Sequence, residues 1–171
     1  TADEAKKPQH DGGFYYQPNE SKVNEKLKKG GNVKPRGLRS YGSMTYAGLK
    51  SMIYARLDAS DFRVQAAVDW ARRHYTLKEN PVMGAEGHYY YLLTFAKAHA
   101  ALGRETITAP DGEVHRWRVD VIRTLLNLQK GDGQWLNDKS GRWMESIPEL
   151  VTSYALITME IALGEHIERS P

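Results

Sequence analysis

The sequence predicts an all-α protein. Three observations carry the prediction: helical segments that are apolar on nearly all sides alternate with amphipathic ones, no stretch alternates as a strand does, and one short motif recurs ahead of two of the apolar segments.

Residues 1–36 read as an irregular segment with a basic loop. They hold Gly12-Gly13, Gly30-Gly31, Pro8, Pro18 and Pro35. Within Ser21–Arg39, Lys22, Lys26, Lys28, Lys29, Lys34, Arg36 and Arg39 stand against the single acid Glu25. No aromatic residue is interleaved for base stacking, so the charge is read as a solvated loop, not a nucleic-acid surface.

Helix repeats are expected over 37–166. Ser43–Leu57, Gly87–Leu102 and Glu149–Leu163 are the apolar segments, and a helix apolar all round belongs inside. Asp61–Tyr75 and Glu113–Gln129 are the amphipathic ones. The first has Val64, Ala67, Val68, Ala71 and Tyr75 as its stripe; the second has Val114, Trp117, Val121, Leu125 and Leu128. Asp58-Ala-Ser-Asp61 reads as a turn and helix start. Asp111 is placed to cap the second amphipathic helix, and Ser146-Ile-Pro-Glu149 has capping-box spacing with Pro in the first turn. Gly103 and Gly164 stand where helices end.

Composition narrows the chemistry. Without cysteine there is no disulfide, no thiolate nucleophile and no Cys-ligated zinc. No apolar run has the length of a membrane span, and the polar first eight residues do not read as a signal peptide. The six histidines include no pair at metal-binding spacing; His88 and His99, eleven residues apart on one predicted helix, are separated by about 16 Å. No metal or cofactor is expected.

The recurring motif is Gln129-Lys-Gly-Asp-Gly133-Gln-Trp135, in the frame Q-x-x-x-G-x-W. Gln9-His-Asp-Gly-Gly13-Phe-Tyr15 has the same frame with Tyr in the Trp place. Each precedes an apolar segment carrying Thr or Ser before Tyr-Ala, at Tyr46 and Tyr154. Gln129 is suited to satisfying a helix end, Gly133 to a tight turn and Trp135 to covering apolar area.

This frame resembles the QW motif of squalene cyclases and protein prenyltransferase β subunits. Asp11-Gly-Gly-Phe-Tyr-Tyr16, residues 37–55, Tyr89-Tyr-Tyr91 and Arg142-Trp-Met-Glu145 are similar to the C-terminal half of bacterial prenyltransferase or squalene-oxidase repeat proteins. The resemblance spans most of residues 9–163. It implies a partial α/α toroid, with buried helices in an inner ring and amphipathic ones outside. It also implies about twice this length, and export from a bacterial cell. A closed ring of that family has about six helix pairs. Two and a half are read here, so a second half-toroid is the expected partner, covering edge residues such as Leu49, Met52, Leu156 and Met159.

If the protein is an enzyme, the resemblance implies polyprenyl or triterpenoid chemistry in a central aromatic cavity. The chain has neither the D-x-D-D acid motif of squalene-hopene cyclases nor the D-D-x-x-D of class-I terpene synthases. The alternatives are a non-catalytic scaffold binding a glycan or protein segment, and a polysaccharide-active enzyme. The candidate cavity wall lies at the N-terminal ends of the buried helices. Its binding candidates are Arg39, Tyr41, Tyr46, Tyr89, Tyr90, Trp143 and Tyr154. Glu86, His88 and Glu145 are the candidate acids and bases, with Glu86 and His88 read as an acid–base pair.

Overall fold

The structure, a computed structural model, describes residues 11–17, 20–29 and 38–164. Its helices are α1 (Lys22–Lys29), α2 (Gly42–Tyr54), α3 (Phe62–Arg73), α4 (His88–Leu102), α5 (Trp117–Leu128) and α6 (Pro148–Leu163). The protein is mostly helical. A two-stranded antiparallel hairpin, β1 (Ile107–Thr108) and β2 (Val114–His115), joins α4 to α5, and a 3₁₀ turn covers Arg142–Met144.

Helices α2, α4 and α6 lie side by side with α4 in the middle; α3 packs on α2, and α5 packs on α4 and α6. This placement corrects the expectation that all three apolar helices are buried on every side. Only α4 is enclosed, with Tyr89, Tyr91, Leu92, Leu93, Phe95, Ala96 and Ala98 in the core. On the flanking helices, α2 and α6, each has a neighbour on one side of α4's row only. The apolar residues on the far face of α6 therefore meet solvent: Leu156 is 54% and Leu163 61% exposed. Leu49, expected at an open edge, is instead fully buried, while Met52 and Met159 are half-buried.

Several boundaries differ from the sequence reading for local reasons. The segment expected to be irregular contains α1. Helix α2 stops at Tyr54 because Arg56 turns left-handed at φ 61°; its amide bonds Ile53 O and the Leu57 amide bonds Met52 O, closing the helix end. Asp111 does not cap α5. Its Oδ1 accepts the Glu113 amide inside the hairpin, which occupies the residues expected to begin that helix. Nor does Ser146 cap α6: Ile147 holds that position without a side-chain bond, and Pro148 follows in the first turn. Asp61 does cap α3, accepting the Arg63 amide at 2.9 Å.

Trp70 lies outside the predicted α3 stripe, yet it is fully buried. Helix α3 buries a second face because the segment around Asp11 folds over it. Asp11 Oδ2 accepts both Trp70 Nε1 (3.0 Å) and Ser40 Oγ (2.6 Å), and Arg73 donates to Asp11 O at 2.7 Å.

The repeat is present in a different register from the one the Q-x-x-x-G-x-W frame suggests. Gly12 (φ 91°) and Gly133 (φ 88°) occupy matching left-handed turns. Asp11 Oδ1 accepts the Gly13 amide at 3.0 Å, as Asp132 Oδ1 accepts the Gln134 amide at 3.2 Å. The following aromatic amides, Phe14 and Trp135, each donate to a threonine of an apolar helix that follows: Thr45 Oγ1 at 2.9 Å and Thr152 Oγ1 at 3.1 Å. The repeating unit is thus Asp-Gly-x-aromatic, with Phe14 and not Tyr15 in the tryptophan's place; Gln9 lies outside the described residues.

Trp135 does what was expected of Gln129. Its Nε1 donates to Leu125 O at 2.8 Å, satisfying a carbonyl in the last turn of α5, while Gln129 donates to Gly133 O inside its own turn. Because Trp135 is also 3% exposed within the core, Trp135→Ala is expected to cost about 3–5 kcal/mol in a denaturant titration. A loss below about 1 kcal/mol would show that the ring is not a structural anchor.

Candidate functional site

The N-termini of α2, α4 and α6 meet at one end of the molecule, and none carries its own side-chain cap. Two buried side chains from elsewhere cap the first two. Asn80 Oδ1 accepts the Ser43 amide at the start of α2 (3.0 Å), and Asn80 Nδ2 donates to Glu86 O (2.9 Å), just ahead of α4. Glu145 Oε1 accepts the Tyr90 amide in the first turn of α4 (2.9 Å), and its Oε2 accepts Asn137 Nδ2 (2.6 Å). Burial pushes the Glu145 carboxyl above its usual range, opposed by bonds from the Tyr90, Tyr89 and His88 amides and from Asn137. Free helix-terminal amides favour an anion there.

Beside these caps opens a cleft of about 490 Å³, lined by Tyr16, Tyr41, Tyr90, Trp143 and Tyr154, with Met44, Met144, Ser43 and Lys22. Four of the rings come from the N-terminal ends of α2, α4 and α6 and the 3₁₀ turn before α6. Tyr16 comes from the segment ahead of α1. Tyr90 and Tyr154 stand 6.0 Å apart. Burial raises the pKa of Tyr41 and of Tyr154, so both hydroxyls stay neutral and can donate or accept.

The cleft's rim is strained. Trp143 (φ 56°) and Met144 (φ 64°) are consecutive left-handed residues, a rare arrangement for large side chains. They hold this shape because the Trp143 ring lies on Gly87: a Cβ there would come within 2.7 Å of it. Arg142 stacks on the ring at 4.6 Å, pairs with Glu86 at 2.6 Å and lies 3.5 Å from Glu25. Lys22 sits 4.6 Å over Tyr16 and is paired with Glu20 and Glu25.

Of the binding candidates, Tyr41, Tyr90, Trp143 and Tyr154 converge on this cleft. Tyr46 does not, because its position on α2 turns it into the core against Tyr91, Phe95 and His99. Tyr89 points to the other side of α4, where it donates to Leu136 O at 3.4 Å and burial pushes its pKa up to about 12. Arg39 is exposed and does not line the cleft.

The candidate acids and bases separate too. Glu86 pairs with Arg142, whereas His88 is buried with Nε2 bonded to Leu77 O at 2.9 Å. Nε2 is therefore the protonated nitrogen, and burial lowers the ring's pKa. The left-handed turn at Gly87 sends the two side chains to different partners, so they do not form an acid–base pair. Glu145 is fully buried as a helix cap and does not line the cleft.

The sequence reading missed Tyr16, Met44 and Met144 as wall residues and Asn80 as a cap. An Asn-Pro pair signals a turn, and its side-chain reach across 37 residues to Ser43 has no sequence signature. Among the described residues, no group of His, Asp or Glu is placed to hold a metal ion, and no helix is long and apolar enough to cross a membrane. Set against protein-family models, curated proteins and solved structures, the chain matches none.

Glu145→Ala is expected to destabilise the fold by about 2–3 kcal/mol, the cost of a lost cap plus buried amides left unpaired. Chemical denaturation measures it. A loss under about 0.5 kcal/mol would mean that water replaces the carboxylate.

Proposed function

We propose that the chain is a non-catalytic scaffold of the cyclase-like toroid type, and that its aromatic cleft binds a glycan. The observation that carries this is the set of five rings, four of them tyrosines, around one solvent-open cleft. Aromatic side chains join a broad apolar face to a polar tip, which suits a ligand with apolar ring faces and many hydroxyls. Ser43 and the neutral tyrosine hydroxyls add hydrogen-bonding capacity.

A polyprenyl cyclase would require an enclosed apolar chamber and an acid strong enough to protonate an alkene. The carboxylates nearest the cleft are otherwise engaged: Glu20, Glu25 and Glu86 in ion pairs, Glu145 beneath α4. Binding needs none of them free.

The side-by-side row of α2, α4 and α6, with α3 and α5 packed against it, supports the half-toroid part of the proposal. A second half would cover the α6 face that exposes Leu156, Ile157 and Leu163.

The glycan reading is tested by titrating the chain with cello-, chito- and maltohexaose and an acidic alginate hexamer, with farnesol as the apolar counter-ligand. Tryptophan fluorescence and calorimetry follow binding. Saturable binding of at least one saccharide is expected, weakened tenfold or more by Trp143→Ala, a loss of at least about 1.4 kcal/mol. Binding of farnesol and of no saccharide would turn the assignment to a polyprenyl ligand. Light scattering tests the second half: mass should rise with concentration above the 19.4 kDa of one chain. A monomer at every concentration, with no binding of an apolar dye, would count against it.

A further inference from the structure

A second cavity, of about 240 Å³, lies near the C-terminal end of α4, away from the aromatic cleft. It is walled by residues of α2, α3, α4 and β1, with Leu49, Val68, Ala71 and Ile107 supplying apolar surface. His99 also lines it. That imidazole is 4% exposed, and neither Nδ1 nor Nε2 has a hydrogen-bond partner. Unpartnered buried polar atoms are uncommon in folded proteins and each costs roughly 1–3 kcal/mol.

Packing alone does not account for a histidine there. Its ring stands edge-on to Phe95 (4.6 Å) and Tyr46 (5.4 Å) and lies 5.7 Å from Trp117. A phenylalanine would fill that position without leaving two nitrogens unsatisfied. Burial first, and the nearby Arg104 second, lower the His99 pKa to about 3, so the ring is neutral and offers one N–H donor and one acceptor.

The remaining polar walls give the sign of the ligand. The charged residues lining the cavity are Arg72 and Arg104, and no carboxylate lines it. Arg72 is held by Asp69 (3.4 Å) and Thr108 O (2.7 Å). Arg104 is exposed and has no ion pair among the described residues. The room is somewhat larger than the 150 Å³ or so in which an engineered apolar cavity of another protein holds benzene.

We propose that this cavity binds a small organic carboxylate. The ligand's apolar body lies against the aliphatic wall, one carboxylate oxygen accepts the His99 N–H, and the charge is met by Arg104. Arg72 adds positive potential at the mouth.

Benzoate is a suitable probe for the full chain. Benzyl alcohol serves as its uncharged counterpart, and inorganic phosphate as an anion with no apolar body. The imidazole signals of the six histidines are followed by NMR, with His99 assigned from the spectrum of His99→Phe. Benzoate should shift the His99 signals saturably at millimolar concentration, with benzyl alcohol and phosphate at least about tenfold weaker. Arg104→Ala should weaken benzoate about tenfold, as loss of one charge-assisted contact does. In calorimetry His99→Phe should abolish binding, while its thermal unfolding shows that the fold is kept.

Three results would overturn the proposal. No saturable shift of His99 would mean that the imidazole is satisfied by water only. Equal binding of phosphate would reduce the site to a surface cation patch. Benzoate binding unchanged in a folded His99→Phe would place the ligand elsewhere.

Discussion

Helices α2 and α4 begin inside the protein, where water cannot satisfy their first amides, and neither brings its own cap. Side chains distant in sequence solve this. Asn80 reaches the start of α2, and Glu145 reaches the start of α4. Glu145 is the more demanding case, because burying a carboxylate opposes its ionisation. The amides of α4, the positive end of the helix and Asn137 offset that cost together. In return, the loop from Trp135 to Ile147 is fixed to α4 rather than only to its own neighbours. The seat of Trp143 on Gly87, and so the shape of the aromatic cleft, follows from that attachment.

The legible part of the fold was the part set by local periodicity. All five segments read as helical from residue 43 onward contain helices, since stripes such as Val64, Ala67, Val68 and Ala71 need only their own spacing to be recognised. What was not legible depended on distant contacts or on unusual backbone. Arg56 ends α2 in a conformation usually taken by glycine. Trp70 is buried by an irregular stretch nearly sixty residues earlier in the chain. The motif register slipped by one because residue spacing alone does not reveal which amide bonds to threonine; Phe14 and Trp135 do so, and Tyr15 does not.

The same division runs through the site. Choosing the N-terminal ends of the apolar helices located Tyr41, Tyr90, Trp143 and Tyr154 together, because residues at helix starts share an end of a bundle whatever their rotation. Rotation sorted the rest. Tyr46 and Tyr89 sit near the same end, but their positions around α2 and α4 turn them into the core and to the opposite side. A chemical label proved less informative than an inventory of partners. Glu86, His88 and Glu145 are the residue types of acid–base catalysis, yet their hydrogen bonds assign them to an ion pair, a backbone carbonyl and a helix cap.

Trp143 and Met144 join these themes. Two adjacent large residues in the left-handed region cost on the order of 1–2 kcal/mol each relative to ordinary backbone. Their exposure rules out deep burial as the compensation: Trp143 is 38% and Met144 63% exposed. The compensation is built from neighbours instead. Gly87 admits the indole, Arg142 stacks on the ring while anchored by Glu86, and Glu145, the residue that follows Met144, is fixed by the Tyr90 amide. A tryptophan needed only for packing would sit at lower cost in an ordinary conformation within the core, as Trp70 and Trp117 do. Holding this one at the rim of an aromatic cleft, at a backbone cost met by three separate contacts, leaves part of its ring at the cleft surface, where packing alone would not put it.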